Sequence, residues 1–331
     1  MKLIEKLLQC PQCKSNSLKY SQEYVNCLKC ENEYQVKNNI PLMFLPNNWK
    51  KSINDVSKIV KKFYEKTPFP NYESIENKYD LILKAERSFY AKILNEQIPF
   101  NTKVLEVGCG TGQLSNYLGI AKRYVFGADM CMNSLRLAEN FRKNNNINNT
   151  SFIQMNLFKP VFEKESFDLI ICQGVLHHTS NPYLGFQKIS QLVKKNGYII
   201  IGLYNKYGRI LTDIRRSIFK FTGDNFKFID PRLRNIDRGK LKRESWFNDQ
   251  YKHPHESKHT IGEVINWLEL NNFDFINAIP KTTPLNPLTN NEKLFKINKK
   301  GNMIDHFIVQ MFSIFNGYRE GGLFLIIGKR R

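Results

Sequence analysis

The sequence predicts an α/β fold built on a doubly wound, mostly parallel sheet of seven strands, and three observations predict it. Hydrophobic strands alternate with amphipathic helices between residues 104 and 203. The first of these strands runs straight into a glycine-rich turn containing Gly108, Gly110 and Gly112. An acid, Asp129, stands at the end of the next strand. The 331 residues are 41% hydrophobic, enough for a sizeable core. The longest apolar runs, 198–203 and 323–327, fall short of the ~20 residues a membrane-spanning helix needs, so no transmembrane segment is expected. The opening MKLIEKLLQCPQC has charges inside its apolar stretch and no small-residue cleavage site, which reads as cytoplasmic rather than secreted.

Taken in order, residues 1–46 hold Cys10, Cys13, Cys27 and Cys30 in the pattern C-x2-C-x13-C-x2-C. Each pair puts two thiolates at one tight turn. In a reducing compartment, two such pairs read as a tetrahedral zinc site with Zn–S bonds of ~2.3 Å, not as disulfides or a redox pair. A closed four-sulfur site leaves no position for catalysis, so the Zn2+ is expected to be structural and separable from the rest of the chain. Pro41 and Pro46 mark the exit. Residues 47–100 read as a helical linker or lid. Val56, Ile59, Val60 and Phe63 have helical spacing, Pro68 and Pro70 break the pattern, and 79–97 reads as one further helix. Tyr64 or Tyr72 either closes over a ligand or staples this linker to the core.

Residues 101–203 carry strands at 104–107, 124–128, 151–155, 167–172 and 197–203, with helices from 114, over 134–144 and over 181–193. In the remainder, 204–331, the alternation stops after Leu203. It resumes with a helix at 260–271 and strands at 273–278 and 323–328. The long connections read as a substrate cap over the carboxyl ends of the strands. Phe307–Tyr318 (FIVQMFSIFNGY) reads as a buried cap helix rather than a lipid-facing patch.

The glycine turn departs from a dinucleotide fingerprint. Its third glycine comes one residue early, and Glu106 precedes the turn. The resulting E-x-G-x-G-x-G resembles motif I of the class I S-adenosylmethionine-dependent methyltransferases. Phe152–Leu157 (FIQMNL) resembles that family's adenine-contacting strand end, with Asn156 where the family usually has Asp. Ser166–Pro182 and Gly197–Leu203 resemble its fourth and fifth strands, in the type 11, quinone-methylase-like branch. The resemblance implies a Rossmann-like sheet and S-adenosyl-L-methionine as cofactor. It implies Glu106, Gly108, Cys109, Gly110, Gly112, Asp129, Met130, Asn156, Leu157 and Gln173 as the binding residues. The four-cysteine run resembles the zinc ribbons fused or bound to some methyltransferases.

The acceptor is not written in these motifs. His178, in the LHHT segment after the fourth strand, is a candidate general base, with local backbone hydrogen bonding as the alternative. His255 and Glu256, in the dense segment DQYKHPHESKHT, are candidates for substrate or base duty, with a structural loop or metal binding as the alternatives. The net charge is +20, yet 36 Lys and 37 Asn against 14 Arg suggest codon bias behind much of it. Half of the Arg fall between 206 and 243, where 12 basic and 4 acidic residues give a local net of +8. A small-molecule acceptor, quinone-, lipid- or sugar-like, is the expected partner. RNA is the rival, and a non-catalytic scaffold is the third reading. The sequence leaves the oligomeric state open.

Overall fold

The computed structural model describes residues 2–49, 54–234, 239–289, 291–316 and 321–331. A short helix, α1 (Lys2–Glu5), leads into a four-stranded antiparallel sheet: β1 (Leu18–Tyr20), β2 (Tyr24–Cys27), β3 (Glu33–Lys37) and β4 (Ile40–Pro41). Three helices follow: α2 (Ser57–Lys66), α3 (Lys78–Glu86) and α4 (Phe89–Gln97). The sequence reading had made the last two one helix. The break falls at Arg87–Ser88, where the Ser88 hydroxyl accepts from the Ala91 amide and starts a new helix.

The core then alternates as expected: β5 (Lys103–Val107), α5 (Gln113–Ile120), β6 (Tyr124–Asp129), α6 (Met132–Asn144), β7 (Thr150–Gln154), β8 (Phe167–Gln173), α7 (Pro182–Ser190) and β9 (Val193–Tyr204). α7 is shorter than expected, because Val193 already pairs with Phe167 and opens β9. The segment after Leu203 is helical: α8 (Ile210–Thr222), a 3-10 turn (Gly223–Ile229), α9 (Pro231–Arg234) and α10 (Lys240–Tyr251). α11 (Ile261–Leu270), β10 (Phe273–Ile279), α12 (Met303–Asn316) and β11 (Leu323–Arg330) complete the chain. Arg238, part of the basic cluster, lies outside the described residues. Among the described residues no helix is long and apolar enough to cross a membrane.

The sheet has the order β10-β11-β9-β8-β5-β6-β7, with β11 antiparallel to both neighbours and the other six strands running in one direction. Its order reverses between β5 and β8, which opens a crevice at their carboxyl ends. Alternate side chains feed two cores. Leu105, Phe126, Ile170 and Ile201 meet Phe186 of α7 and Trp267 of α11, while Val104, Val125 and Ile171 meet Leu81, Leu94 and Leu118 of α3, α4 and α5.

The N-terminal sheet packs against the large one. Leu7, Leu8, Tyr34 and Met43 belong to the same buried cluster as the large sheet, and Leu42 pairs in parallel with Gln154 beside β7. α12 also departs from expectation: it packs Val309 on the core but leaves Met303, Ile304, Phe307, Met311, Phe312 and Phe315 exposed, Phe315 by 72%.

Candidate active site

A cavity of about 500 Å3 opens at the carboxyl ends of β5, β6, β7, β8 and β9. Nine of the residues expected to hold the cofactor line it: Glu106, Gly108, Cys109, Gly110, Asp129, Met130, Asn156, Leu157 and Gln173. Gly112 does not. It sits at the N-cap of α5 with φ +68°, where a Cβ would fall 2.6 Å from the Phe152 ring and 2.7 Å from Ala138. Its role is close packing of the helix on the sheet. At Gly110, φ is +52° and a Cβ would lie 2.4 Å from the Phe69 carbonyl oxygen, so the constraint there comes from the linker folded over the turn.

Two carboxyls face this end of the cavity. Asp129 accepts from the Gly110 amide at 2.9 Å and the Cys131 amide at 2.8 Å. Burial raises its pKa against those hydrogen bonds. Glu106 accepts from the Ser115 hydroxyl, and burial pushes it up to about 7. Neither has an ion-pair partner among the described residues. A cavity with two uncompensated acids and a turn stripped of side chains suits a ligand carrying positive charge. It fits the sulfonium of S-adenosylmethionine and would repel a nucleotide's phosphates.

The linker roofs the same end. Asn156 donates to the Leu45 carbonyl and to Asn47 Oδ1, both at 2.7 Å, and accepts from the Phe158 amide. An Asp in its place could not donate either bond. Glu65, at the end of α2, accepts from the Met132 and Asn133 amides and so caps α6 from outside. Tyr72 donates to the Thr111 carbonyl at 2.9 Å.

The far end of the cavity is formed by Tyr64, His178, Thr179, Tyr204, Asp249 and Gln250. Tyr64 Oη donates to Asp249 Oδ1 at 2.8 Å, and Gln250 Nε2 lies 3.0 Å from Asp249 Oδ2 and 2.9 Å from Tyr204 Oη. Burial raises both the Asp249 carboxyl and the Tyr64 hydroxyl. His178 is present, but both of its nitrogens are engaged: Nδ1 with the His255 carbonyl at 2.9 Å and Nε2 with His177 Nε2 at 3.1 Å. A carbonyl only accepts, so Nδ1 carries the hydrogen. Burial holds both rings neutral, well below their usual pKa, so His178 Nε2 accepts from His177.

His255 and Glu256 do not line the cavity. His255 Nε2 is 3.1 Å from the Thr179 carbonyl. Glu256 pairs with the fully buried Arg209 and with Arg216 at 2.9 Å. Burial alone would raise its carboxyl, and the two guanidinium groups outweigh that and hold it at about 2. Asp249, Gln250 and Tyr204 escaped the sequence reading. Tyr204 could have been found as the last residue of the fifth strand. No local signal joins Asp249 to Tyr64, 185 positions away.

In the N-terminal sheet, the four cysteine sulfurs lie within 4.8 Å of one another, with Cys10–Cys30 at 3.6 Å and Cys13–Cys27 at 3.5 Å. Four sulfurs ~2.3 Å from a common centre would stand roughly 3.8 Å apart, so the set fits a tetrahedral ion. Burial raises the Cys27 thiol, but the Cys30 and Lys29 amides and the neighbouring thiols bring it down to about 7.

Comparison with known proteins agrees with this arrangement. Residues 100–238 match a family described as "Methyltransferase domain". A ubiquinone biosynthesis O-methyltransferase of Glaesserella parasuis is 31% identical over 114 residues, 32% of this chain and 47% of that protein. One from Pelagibacter ubique is 27% identical over 164 residues, 47% of this chain and 65% of that protein. The chain thus spans about half to two thirds of the length of these relatives. Among solved structures, PKMT2 from Rickettsia typhi superposes with a TM-score of 0.52 at 16% identity, covering 75% of this chain and 54% of that one. In complex with AdoHcy the same protein gives 0.50 at 16% identity, covering 70% and 49%. At that identity the likeness is one of fold.

Proposed function

For a chain whose core belongs to the class I S-adenosylmethionine-dependent methyltransferases, we propose methyl transfer to a small, largely apolar acceptor bearing a hydroxyl group, with structural zinc in the N-terminal sheet. The observation that carries this reading is the continuity of one cavity from the glycine turn and its acids to the Tyr64–Asp249–Gln250 group. Its volume lies within the ~300–1,000 Å3 of small-ligand sites. When bound, S-adenosylmethionine supplies a methyl group on a positively charged sulfur for in-line displacement. Asp129 and Glu106 hold the positively charged cofactor, Gly108 and Gly110 let the turn pack against Val175 and the linker, and the linker excludes water from the cofactor. Asp249 is the proton acceptor for the attacking hydroxyl. Its raised pKa makes it a stronger base than an exposed carboxylate, and Tyr64 and Gln250 fix its oxygens. His178 then orients the wall rather than taking the proton, because its free lone pair already accepts from His177.

The ubiquinone biosynthesis relatives support a hydroxylated acceptor over the rival, RNA. So does the basic segment itself, because Arg209 and Arg216 turn inward onto Glu256. The test is S-adenosylhomocysteine release in the presence of hydroxylated aromatics and quinols on one side and bulk tRNA on the other. Turnover with the small phenols is expected. Turnover with tRNA alone would sink the acceptor assignment and leave the cofactor assignment standing.

A further inference from the structure

Two cap helices carry their apolar residues outward. On α12, Met303, Ile304, Phe307, Met311, Phe312 and Phe315 are exposed, Met303 by 87% and Phe315 by 72%. On the face turned toward the protein, Val309 packs against the main core beside two polar side chains. His306 and Gln310 are buried, His306 Nε2 meets the Lys300 carbonyl at 2.8 Å, and Gln310 Oε1 accepts from Asn205 and from the Ile261 amide. A surface helix ordinarily buries its apolar stripe. α12 does so only in part: Ile308, Val309 and Ile314 are half-buried, and the six residues named above form a further apolar stripe that nothing among the described residues covers.

α8 extends the same surface. Ile210, Ile214, Ile218 and Phe221 share one helical face and are exposed, Phe221 by 88%. The two surfaces are linked by Tyr207, three residues before α8, which packs edge-on against Phe307 of α12 with ring centroids 6.3 Å apart. An exposed apolar surface drawn from two elements marks an interaction site.

Charge decides what covers it. Lys206, four residues before α8, Lys220 on α8 and Lys299, four residues before α12, are exposed. A second copy of the chain would bring two such sets of lysines together. A nucleic-acid backbone would satisfy the cations and leave the Ile, Met and Phe side chains in water. An anionic bilayer interface meets both requirements. We propose that α8 and α12 form an interfacial docking surface for an anionic lipid bilayer, their apolar faces at the headgroup–acyl boundary and the lysines at the lipid phosphates. Neither helix is long enough to span, so the protein would lie on the surface. Tyr204 and Leu323, which line the cavity, adjoin the two helices in the chain, so docking would hold the cavity close to the membrane.

The experiment is co-sedimentation of the full-length protein with vesicles of phosphatidylcholine, with and without phosphatidylglycerol, at ~0.15 M salt. Binding should rise about tenfold or more with phosphatidylglycerol and fall as salt is raised. The triple substitution Phe307→Asp, Phe312→Asp and Phe315→Asp should remove it while leaving S-adenosylmethionine affinity in place. If that variant loses cofactor affinity, Ile214→Asp with Phe221→Asp on the other helix takes over the same test. The proposal is overturned if the wild type ignores phosphatidylglycerol vesicles or if a folded variant binds them equally well. It is also overturned if the substitutions instead dissolve a dimer in solution. Each of these results leaves the cofactor measurement, and so the methyltransferase reading, standing separately.

Discussion

Glu106 is the residue whose ionisation the fold controls most usefully. Burial raises its carboxyl from an ordinary value to about 7. A raised acid contributes stability while protonated, and that contribution is lost as pH climbs through the folded pKa. A positively charged ligand beside it favours the ionised form. Affinity for S-adenosylmethionine should therefore increase between about pH 6 and 8, with partial proton release near pH 7. Calorimetry in buffers of different ionisation heat measures both, and Glu106→Gln should flatten both. Asp129→Ala should weaken the cofactor by roughly 1.5–3 kcal/mol, the scale of a lost hydrogen bond to a charged group. Asp249→Asn separates the two ends of the cavity. It should lower kcat by about 10²–10⁴ and remove the acid limb of its pH profile, with cofactor affinity unchanged. Turnover near the wild-type level would move the proton acceptor elsewhere.

At the scale of elements, the N-terminal sheet and the linker decide how the cofactor end is closed. Sequence spacing alone made the four-cysteine unit look separable. In the structure its exit strand runs along β7 at Leu42–Gln154, and the following residues hang from Asn156 and supply Phe44 to the cavity wall. The expectation reverses accordingly: Cys27→Ser, or metal removal by a chelator, should weaken S-adenosylmethionine binding as well as unfold the small sheet. Zinc content by metal analysis and affinity by calorimetry, measured on the same samples, check this. Intact affinity in zinc-free protein would restore the separable reading. The helix break at Arg87–Ser88 belongs to this scale as well, because a serine at the start of a turn satisfies amides that a continuous helix would bond internally.

Across the whole molecule, the cap is held to the core by ionised groups inside the protein. Arg209 is fully buried, its guanidinium lies 3.8 Å from the Tyr204 ring centre, and it bonds Glu256, Gln250 and the Gly321 carbonyl. Removing one partner leaves a buried charge uncompensated, so Glu256→Gln should cost about 3–5 kcal/mol of stability in denaturant unfolding. The Glu256 pKa is depressed, so its contribution is present above the ordinary carboxylate range and lost as pH falls toward about 2. His177, His178 and His253 are buried, with pKa values pushed below the usual imidazole value by burial, His253 to about 4. Their contribution is lost as pH falls below about 6.5. Thermal stability should therefore decline on the acid side of neutrality, before the carboxylates titrate.

The order of strands and helices, the glycine turn with its acid, and the four-cysteine cluster were all readable in the sequence. Each is a local pattern: a period of two or 3.6 residues, a backbone that only glycine tolerates, a ligand spacing set by one tight turn. The four sulfurs come together, and nine of the ten residues expected to hold the cofactor line one cavity, because strand ends in a parallel sheet converge by topology. The tertiary structure alone decided what depends on distant partners. It set Asp249 against Tyr64, closed Glu256 into an ion pair with Arg209, engaged both nitrogens of His178, and left six apolar residues of α12 on the outside. Periodicity states that a helix has unlike faces. Which residues meet the protein is settled by what the rest of the chain offers them: the core took Val309, and Asn205 with the Ile261 amide gave Gln310 its hydrogen bonds.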